Sequence, residues 1–409
     1  MIAPLRRVRL SALLTAATAL LHRPASAVPP PAPSTAALPS ASESLAAKRS
    51  DAAKEDAAGP ALGWNWKGTW LTPVAAPAYT PELGIVLTAG GMLSWRADAD
   101  SPRSSLPFSA GYGTVGAIVY TSLLRMYFGR DQYRLDLDIW LKDTKDHYFG
   151  VGYDAGKNTQ LGETTTQYHR LWWQVKPILL RRIYGDWLFG LTLDANQTNA
   201  SALSAGMAAD PAVLQDGTNN LNVGVGPTLR FDSRDVPQNA YRGVYLQARF
   251  VPYLTAFGNH PGYQVLDLDY RHYLSLGRTG STLTWNVLTR SARGGVPWSE
   301  LGQVGSPFDL RGYRWGRYRD KTIAYAIVEY RYMFKAGRLP DGSVKLSRHG
   351  LVGWVALGTL GTDYAHLDGV LPNVGLGYRF AVQGRLNARL DYGVGQNSQA
   401  FYFNFTEAY

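Results

Sequence analysis

The sequence predicts an all-β protein, an antiparallel transmembrane β-barrel, and three observations carry that prediction. Beyond residue 60, apolar residues recur at every second position through many segments. The opposite faces of those segments carry Arg together with Asp or Glu, or glycine. No apolar run past the N-terminus reaches the roughly 18 residues that a membrane helix needs.

The alternation is clearest in five places. In 133–141, Tyr133, Leu135, Leu137, Ile139 and Leu141 oppose Arg134, Asp136, Asp138 and Trp140. In 322–334, Ala324, Ala326, Val328, Tyr330, Tyr332 and Phe334 oppose a face holding Glu329 and Arg331. Segments 263–274, 372–382 and 385–394 repeat the pattern. A soluble sandwich would turn such apolar faces toward each other, whereas a membrane barrel turns them outward and keeps the charges inside. Mixed-sign charge on one face, and Tyr and Trp near segment ends, favour the barrel.

Composition excludes several classes. The chain has 409 residues, a formal charge of +10, 18% charged residues and no cysteine. All 50 aromatics fall after residue 60, which rules out disorder there. The absence of cysteine removes disulfide frameworks, thiolate metal sites and thiol nucleophiles. The positive excess is spread along the chain, so no nucleic-acid footprint is expected.

Read in order, residues 1–27 form an export signal. Arg6, Arg7 and Arg9 precede the uncharged stretch Leu10–Leu21, and Ala25-Ser26-Ala27 supplies small residues for cleavage. Removing its four arginines leaves a charge of +6. Residues 28–60, rich in Ala, Pro and Ser, cannot bury a core and read as a disordered periplasmic tail. Residues 61–409 are the barrel. Pattern alone marks fifteen segments, at 84–95, 112–120, 122–129, 133–141, 168–178, 186–194, 221–232, 243–253, 263–274, 282–292, 322–334, 350–359, 372–382, 386–395 and 400–408. Barrels usually close with an even number, so one is missed, near 64–70 or 147–152, or one is split. The 293–321 connection is far too long for an ordinary hairpin loop. Trp298, Phe308, Tyr313, Trp315 and Tyr318 argue against its being disordered, and Arg311, Arg314, Arg317 and Arg319 need acceptors if it enters the lumen. By parity, Glu329 and Asp391 face the lumen and are the expected partners of Arg311, while Gly312 lets the loop approach the wall.

Four motifs point to one family. FDSRDVPQNAYRG at 231–243, LRGYRWGRYRD at 310–320, AIVEYRY at 326–332 and RLDYGVGQNSQAFYFNFTEAY at 389–409 occur in this order. Together they resemble the bacterial surface-antigen barrels, the BamA/TamA-like superfamily. The match covers about 221–409, with looser similarity back to about 79. Asp232, Arg234, Asp235, Arg242 and Gly243 match the strand–turn element. Arg311, Gly312 and Tyr313 match the long-loop motif, while Phe401, Phe403, Phe405 and Tyr409 look like a C-terminal insertion signal.

The resemblance implies sixteen strands, with 12–14 as the alternative count, both termini in the periplasm, and the 293–321 loop folded into the lumen. It also implies an integral protein of a Gram-negative-type outer membrane, among outer-membrane lipid and lipopolysaccharide. The barrel-assembly machinery or unfolded outer-membrane proteins are the partners it suggests. Members usually carry POTRA domains before the barrel; the 33-residue tail here resembles members lacking them. One departure is Ala356, where the family commonly has an Asp that meets the loop arginine.

Catalysis, cofactors and metals find no support. Gly111, Gly113 and Gly116 match a dinucleotide fingerprint without the βαβ unit it requires. The histidines show no metal-ligand spacing. His272, on an apolar face, is a formal candidate for a lipid-facing base and reads better as an interfacial residue. Two functional readings remain: a factor assisting outer-membrane protein assembly or translocation through a weak first-to-last-strand seam, and a static channel, surface antigen or wall protein. The seam is expected between Gly84, Gly90 and Gly91 of the first segment and the 400–406 strand.

Overall fold

A computed structural model describes residues 64–259, 261–338, 344–383, 386–405 and 407–409. The expected signal at 1–27 and tail at 28–60 lie outside the described residues.

Sixteen strands form one closed antiparallel barrel. They are β1 (Thr69–Thr80), β2 (Gly84–Trp95), β3 (Ser104–Gly113), β4 (Ile118–Phe128), β5 (Tyr133–His147), β6 (Gln167–Tyr184), β7 (Trp187–Ser201) and β8 (Asn219–Asp232). The ring continues through β9 (Gly243–Tyr253), β10 (Tyr263–Ser275), β11 (Ser281–Gly294), β12 (Thr322–Arg338), β13 (Val344–Gly361), β14 (Leu367–Gln383), β15 (Leu386–Gly395) and β16 (Ser398–Phe405). Each strand pairs with its neighbours in sequence, and β16 meets β1. A short strand at Trp64–Trp66 folds back on β1. Another pair, Gly302–Val304 with Tyr318–Asp320, lies within the long loop.

The distribution of polarity is inverted relative to a soluble protein. Thr192, Asn196, Thr228, Asn286, Glu329, Arg331, Arg379, Arg389 and Asp391 are buried inside the ring. Leu191, Phe189, Val287, Val328, Leu351, Val355, Leu376 and Tyr392 are exposed on its outer face. This is the arrangement that a hydrocarbon solvent demands.

The structure corrects the strand list in its N-terminal part. The first barrel strand is β1, not the segment at 84–95. The proposed 112–120 strand is the end of β3, a turn at 114–117 and the start of β4; 122–129 continues β4. Both strands missed by the pattern contain proline, at Pro73 and Pro77 in β1 and Pro107 in β3. Proline removes a ladder donor and argues against a strand in sequence, although the ring tolerates it here. The last strand also stops earlier than expected, at Phe405.

At the end carrying the 295–321 loop, the lumen is closed by aromatic packing. Trp298 is 1% exposed, stands edge-on to Tyr148 and Tyr168, and donates through its main-chain and indole N–H to Asp216 Oδ2 and the Gly217 carbonyl, both at 2.8 Å.

Candidate functional site

The 295–321 loop descends along the inner faces of β12–β16, and Arg311 is its deepest charge. Arg311 is fully buried. Its Nη1 donates to Asp391 Oδ2 at 2.9 Å and its Nη2 donates to Glu329 Oε2. The guanidinium lies 3.5 Å from the ring centre of Trp354, a cation–π contact in a site from which water is excluded. Ala356, where an aspartate partner was missing, is buried two residues further along the same strand. Trp354 thus covers the cation from β13, and the carboxylates come from β12 and β15.

Those carboxylates are shared. Glu329 Oε1 accepts from Arg331 Nε at 2.6 Å. Asp391 accepts from Arg379 Nη1 at 2.6 Å and Arg389 Nη1 at 2.8 Å. Glu407, beyond the last strand, accepts from Arg379 Nε at 2.9 Å and Asn387 Nδ2 at 2.7 Å. Four guanidiniums therefore meet three side-chain carboxylates, and Arg331 also donates to the Tyr409 main-chain oxygen. Each guanidinium keeps one buried nitrogen without an acceptor among the described residues.

Glycine makes the docking possible. Gly312 has φ +119, a conformation that a side chain resists, and its missing Cβ faces the Gly393 main chain at 2.6 Å. A methyl group at Gly393 would lie 2.0 Å from the Arg311 carbonyl oxygen, and one at Gly395 would strike the Tyr313 ring. Gly312 N–H donates to Tyr402 Oη at 3.2 Å, and its carbonyl accepts from Ser398 Oγ at 2.7 Å. Tyr313 donates to the Pro372 carbonyl at 2.7 Å. The loop is thereby stitched to β14, the β15–β16 turn and β16. The other loop arginines use main-chain acceptors: Arg314 reaches Pro81, Arg317 reaches Gly156, and Arg319 reaches Gly316 and His147. Phe308 remains exposed.

The 232–243 element stands apart from this cluster. Arg234 makes a two-point contact with Asp232, at 2.9 and 3.0 Å, and covers Tyr245. Asp235 accepts from the Tyr241 and Arg242 N–H groups, and Gly243 adopts φ +109 where the chain re-enters the sheet. These residues shape a turn from which Ala240 joins the buried cluster that also holds Tyr273, Tyr409 and the loop's Leu310 and Tyr313.

The C-terminal residues divide. Phe401 is exposed on the outer face, and Phe403 and Phe405 pack together 5.7 Å apart. Tyr409 turns inward instead, where its main-chain oxygen accepts from Arg331 Nη2 at 3.2 Å.

That inward turn leaves a thin seam. Among the described residues, β16 and β1 share a single registered pair, Phe403 with Tyr79. Ile85, the mate of Tyr79 in β2, directs its N–H and C=O toward Thr114 and the β3 side. The main-chain groups of Tyr79, and by parity those of Pro77 and Pro73, therefore face the seam. Two donors are missing from that edge. The expected role of Gly84, Gly90 and Gly91 is corrected accordingly: they lie in β2, and proline weakens the seam edge.

The histidines add one arrangement that sequence did not show. His272 faces outward against Trp285, without a carboxylate partner among the described residues. His169 instead bridges Ser201 Oγ (3.2 Å from Nδ1) and Asp143 Oδ1 (2.5 Å from Nε2) on the outer wall. Its ring nitrogens are used in the reverse sense to a serine-hydrolase triad. Three separate strands supply these residues, so no linear motif announces them.

No family model matches the chain, and no curated protein matches it. Among solved structures, BamA from Haemophilus ducreyi, lacking POTRA domains 1–3, superposes with a TM-score of 0.52 at 11% identity, covering 84% of this chain and 70% of that one. CdiB from Escherichia coli superposes with a TM-score of 0.54 at 12% identity, covering 84% of this chain and 63% of that one. The chain thus spans about two thirds of the length of the proteins it resembles. It has the barrel fold of BamA and CdiB, the fold implied by its C-terminal motifs.

Proposed function

We propose that the protein is an integral outer-membrane barrel that assists the assembly or translocation of other polypeptides by parting at the β16–β1 seam. The observation that carries this reading is the seam itself: one registered pair, two prolines on the facing edge, and a last strand whose end turns into the lumen. Among the described residues every other strand boundary of the ring has a longer ladder, so the ring opens at the β16–β1 seam at the least cost in hydrogen bonds. The lipid-facing exterior supports the membrane address. Substrates on this reading are unfolded outer-membrane or exported polypeptides, which would pair with the freed strand edges.

The test is a Tyr79→Cys, Phe403→Cys double variant. Its disulfide is expected to form and, once formed, to lower the level of other outer-membrane proteins or of an exported partner. Normal levels with the seam locked would refute the assembly reading. The second reading, a static barrel, draws on the lumenal loop, whose ion cluster ties it to β12 and β15. It predicts that the locked protein supports every wild-type phenotype. We assign no catalysis to the Ser201–His169–Asp143 line; ester hydrolysis abolished by His169→Ala would overturn that assignment.

A further inference from the structure

Counting from the Phe403–Tyr79 pair, Gln399–Phe401 run past the end of β1 and face the Pro81–Leu83 turn. The wall is therefore notched at the loop end of the seam. A cavity of about 230 Å³ occupies this notch, lined by Pro81, Leu161, Arg314, Arg317 and the Asn397–Ala400 segment. Its two arginines differ from those deeper in the lumen. Among the described residues, neither has a carboxylate oxygen within 4.0 Å. Each is instead held by a main-chain carbonyl: Arg314 Nη1 by Pro81 at 3.1 Å, and Arg317 Nε by Gly156 at 2.9 Å. Both keep further N–H groups to offer. Glu82, on the adjoining turn, is engaged by the Trp315 N–H at 3.0 Å; burial raises its carboxyl above the ordinary range, and the nearby Arg314 charge opposes that rise without forming an ion pair.

Two fixed guanidiniums converging on one cavity repel each other unless an anion lies between them, and their planar forks match a phosphate. The surroundings indicate where that phosphate comes from. Tyr79 and Phe401 stand 6.1 Å apart on the outer face beside the notch, and Phe401, Ile85 and Leu87 are exposed there. An acyl chain would run down this surface from a headgroup in the notch.

We propose that Arg314 and Arg317 form a binding site for the phosphate of a membrane lipid headgroup, seated in the barrel wall at the loop end of the seam. A lipid held there would touch the loop and both seam strands at once. The inference rests on the barrel lying in a bilayer, but not on what passes through the seam.

The test is native mass spectrometry of the full chain in detergent, titrated with short-chain phosphatidic acid, the matching diacylglycerol, or inorganic phosphate. The expected result is retention of one phosphatidic acid by the wild type, weakened at least about tenfold in the Arg314→Gln, Arg317→Gln double variant. Arg317→Lys, which keeps the charge but loses the fork, should fall between. Retention of diacylglycerol as strong as of phosphatidic acid would overturn the proposal. So would unchanged binding by the double variant, or binding of inorganic phosphate without the lipid. A heat-dependent gel shift on each variant establishes that the barrel is intact. Its loss in the wild type would instead refute the membrane-barrel reading.

Discussion

Replacing Arg311 with alanine isolates what holds the loop in the lumen. The substitution removes hydrogen bonds to Glu329 and Asp391 and the cation over Trp354. Breaking a buried ion pair by deleting one partner costs about 3–5 kcal/mol, most of it from the stranded charge. Here neither carboxylate is stranded: Glu329 keeps Arg331, and Asp391 keeps Arg379 and Arg389. The loss should therefore sit at the lower limit, about 3 kcal/mol. With a urea slope of about 3 kcal/mol/M, the unfolding midpoint of the detergent-solubilised barrel falls by about 1 M. The loop, released from β12 and β15, should become cleavable by added protease between residues 305 and 320. Glu329→Gln, which leaves Arg311 and Arg331 facing a neutral amide, should cost more than Arg311→Ala. An unchanged midpoint together with a protected loop in Arg311→Ala would refute the reasoning, because the loop would then be held by its main-chain contacts alone.

Gly393→Ala should displace the loop and expose it to protease, since the new methyl meets the Arg311 carbonyl at 2.0 Å; Gly353→Ala, whose nearest neighbour is a Leu376 methyl at 3.4 Å, should be silent in the same digest. Pro77→Val restores an N–H on the seam edge opposite Phe405 and should raise the temperature at which the folded gel band disappears. Glu300 gives a pH dependence. Burial in the loop, opposed by Arg290, pushes its carboxyl from 4.5 to about 7. The folded state thus prefers the protonated acid, so the stability it confers is full below about pH 4.5 and is lost as pH rises through about 7. Denaturation midpoints should fall across that window and flatten in Glu300→Gln; an unaltered slope in the variant would remove Glu300 as the cause.

Legibility in the sequence followed the strength of the two-residue period. Strands such as β5, β12 and β15 announce themselves because lipid outside and charge inside leave opposite residue types on alternate positions. β1 hides because its outward positions are filled by small residues and proline, and β3 because serine and Pro107 blur its two faces. At the site, parity put Glu329 and Asp391 on the lumen side, and the structure brings both to Arg311. Trp354, Arg379 and Glu407 were not foreseen, because which strands of a ring converge on one loop depends on stagger and curvature that no single segment encodes. The inward turn of Tyr409 was equally hidden: an aromatic at the end of an alternating strand reads as its next outward residue.

Two sets of sequence separations stand out among the loop's contacts. Those of Arg311 and Gly312 stay within the last quarter of the chain, the longest being 90 residues, from Gly312 to Tyr402. Those of Arg314 and Trp315 reach back 233 residues, to the turn that follows β1. Parting the ring at its seam cuts the second group and spares the first. The loop would then travel with the C-terminal strands as part of one rigid leaf, its buried charges still compensated. The N-terminal leaf would swing away from the loop's outer contacts: Arg314 and Trp315 at the β1 turn, Arg317 at Gly156 and Arg319 at His147. Opening would thus incur no penalty for unburying the ion cluster, and the barrier to it is set at the rim.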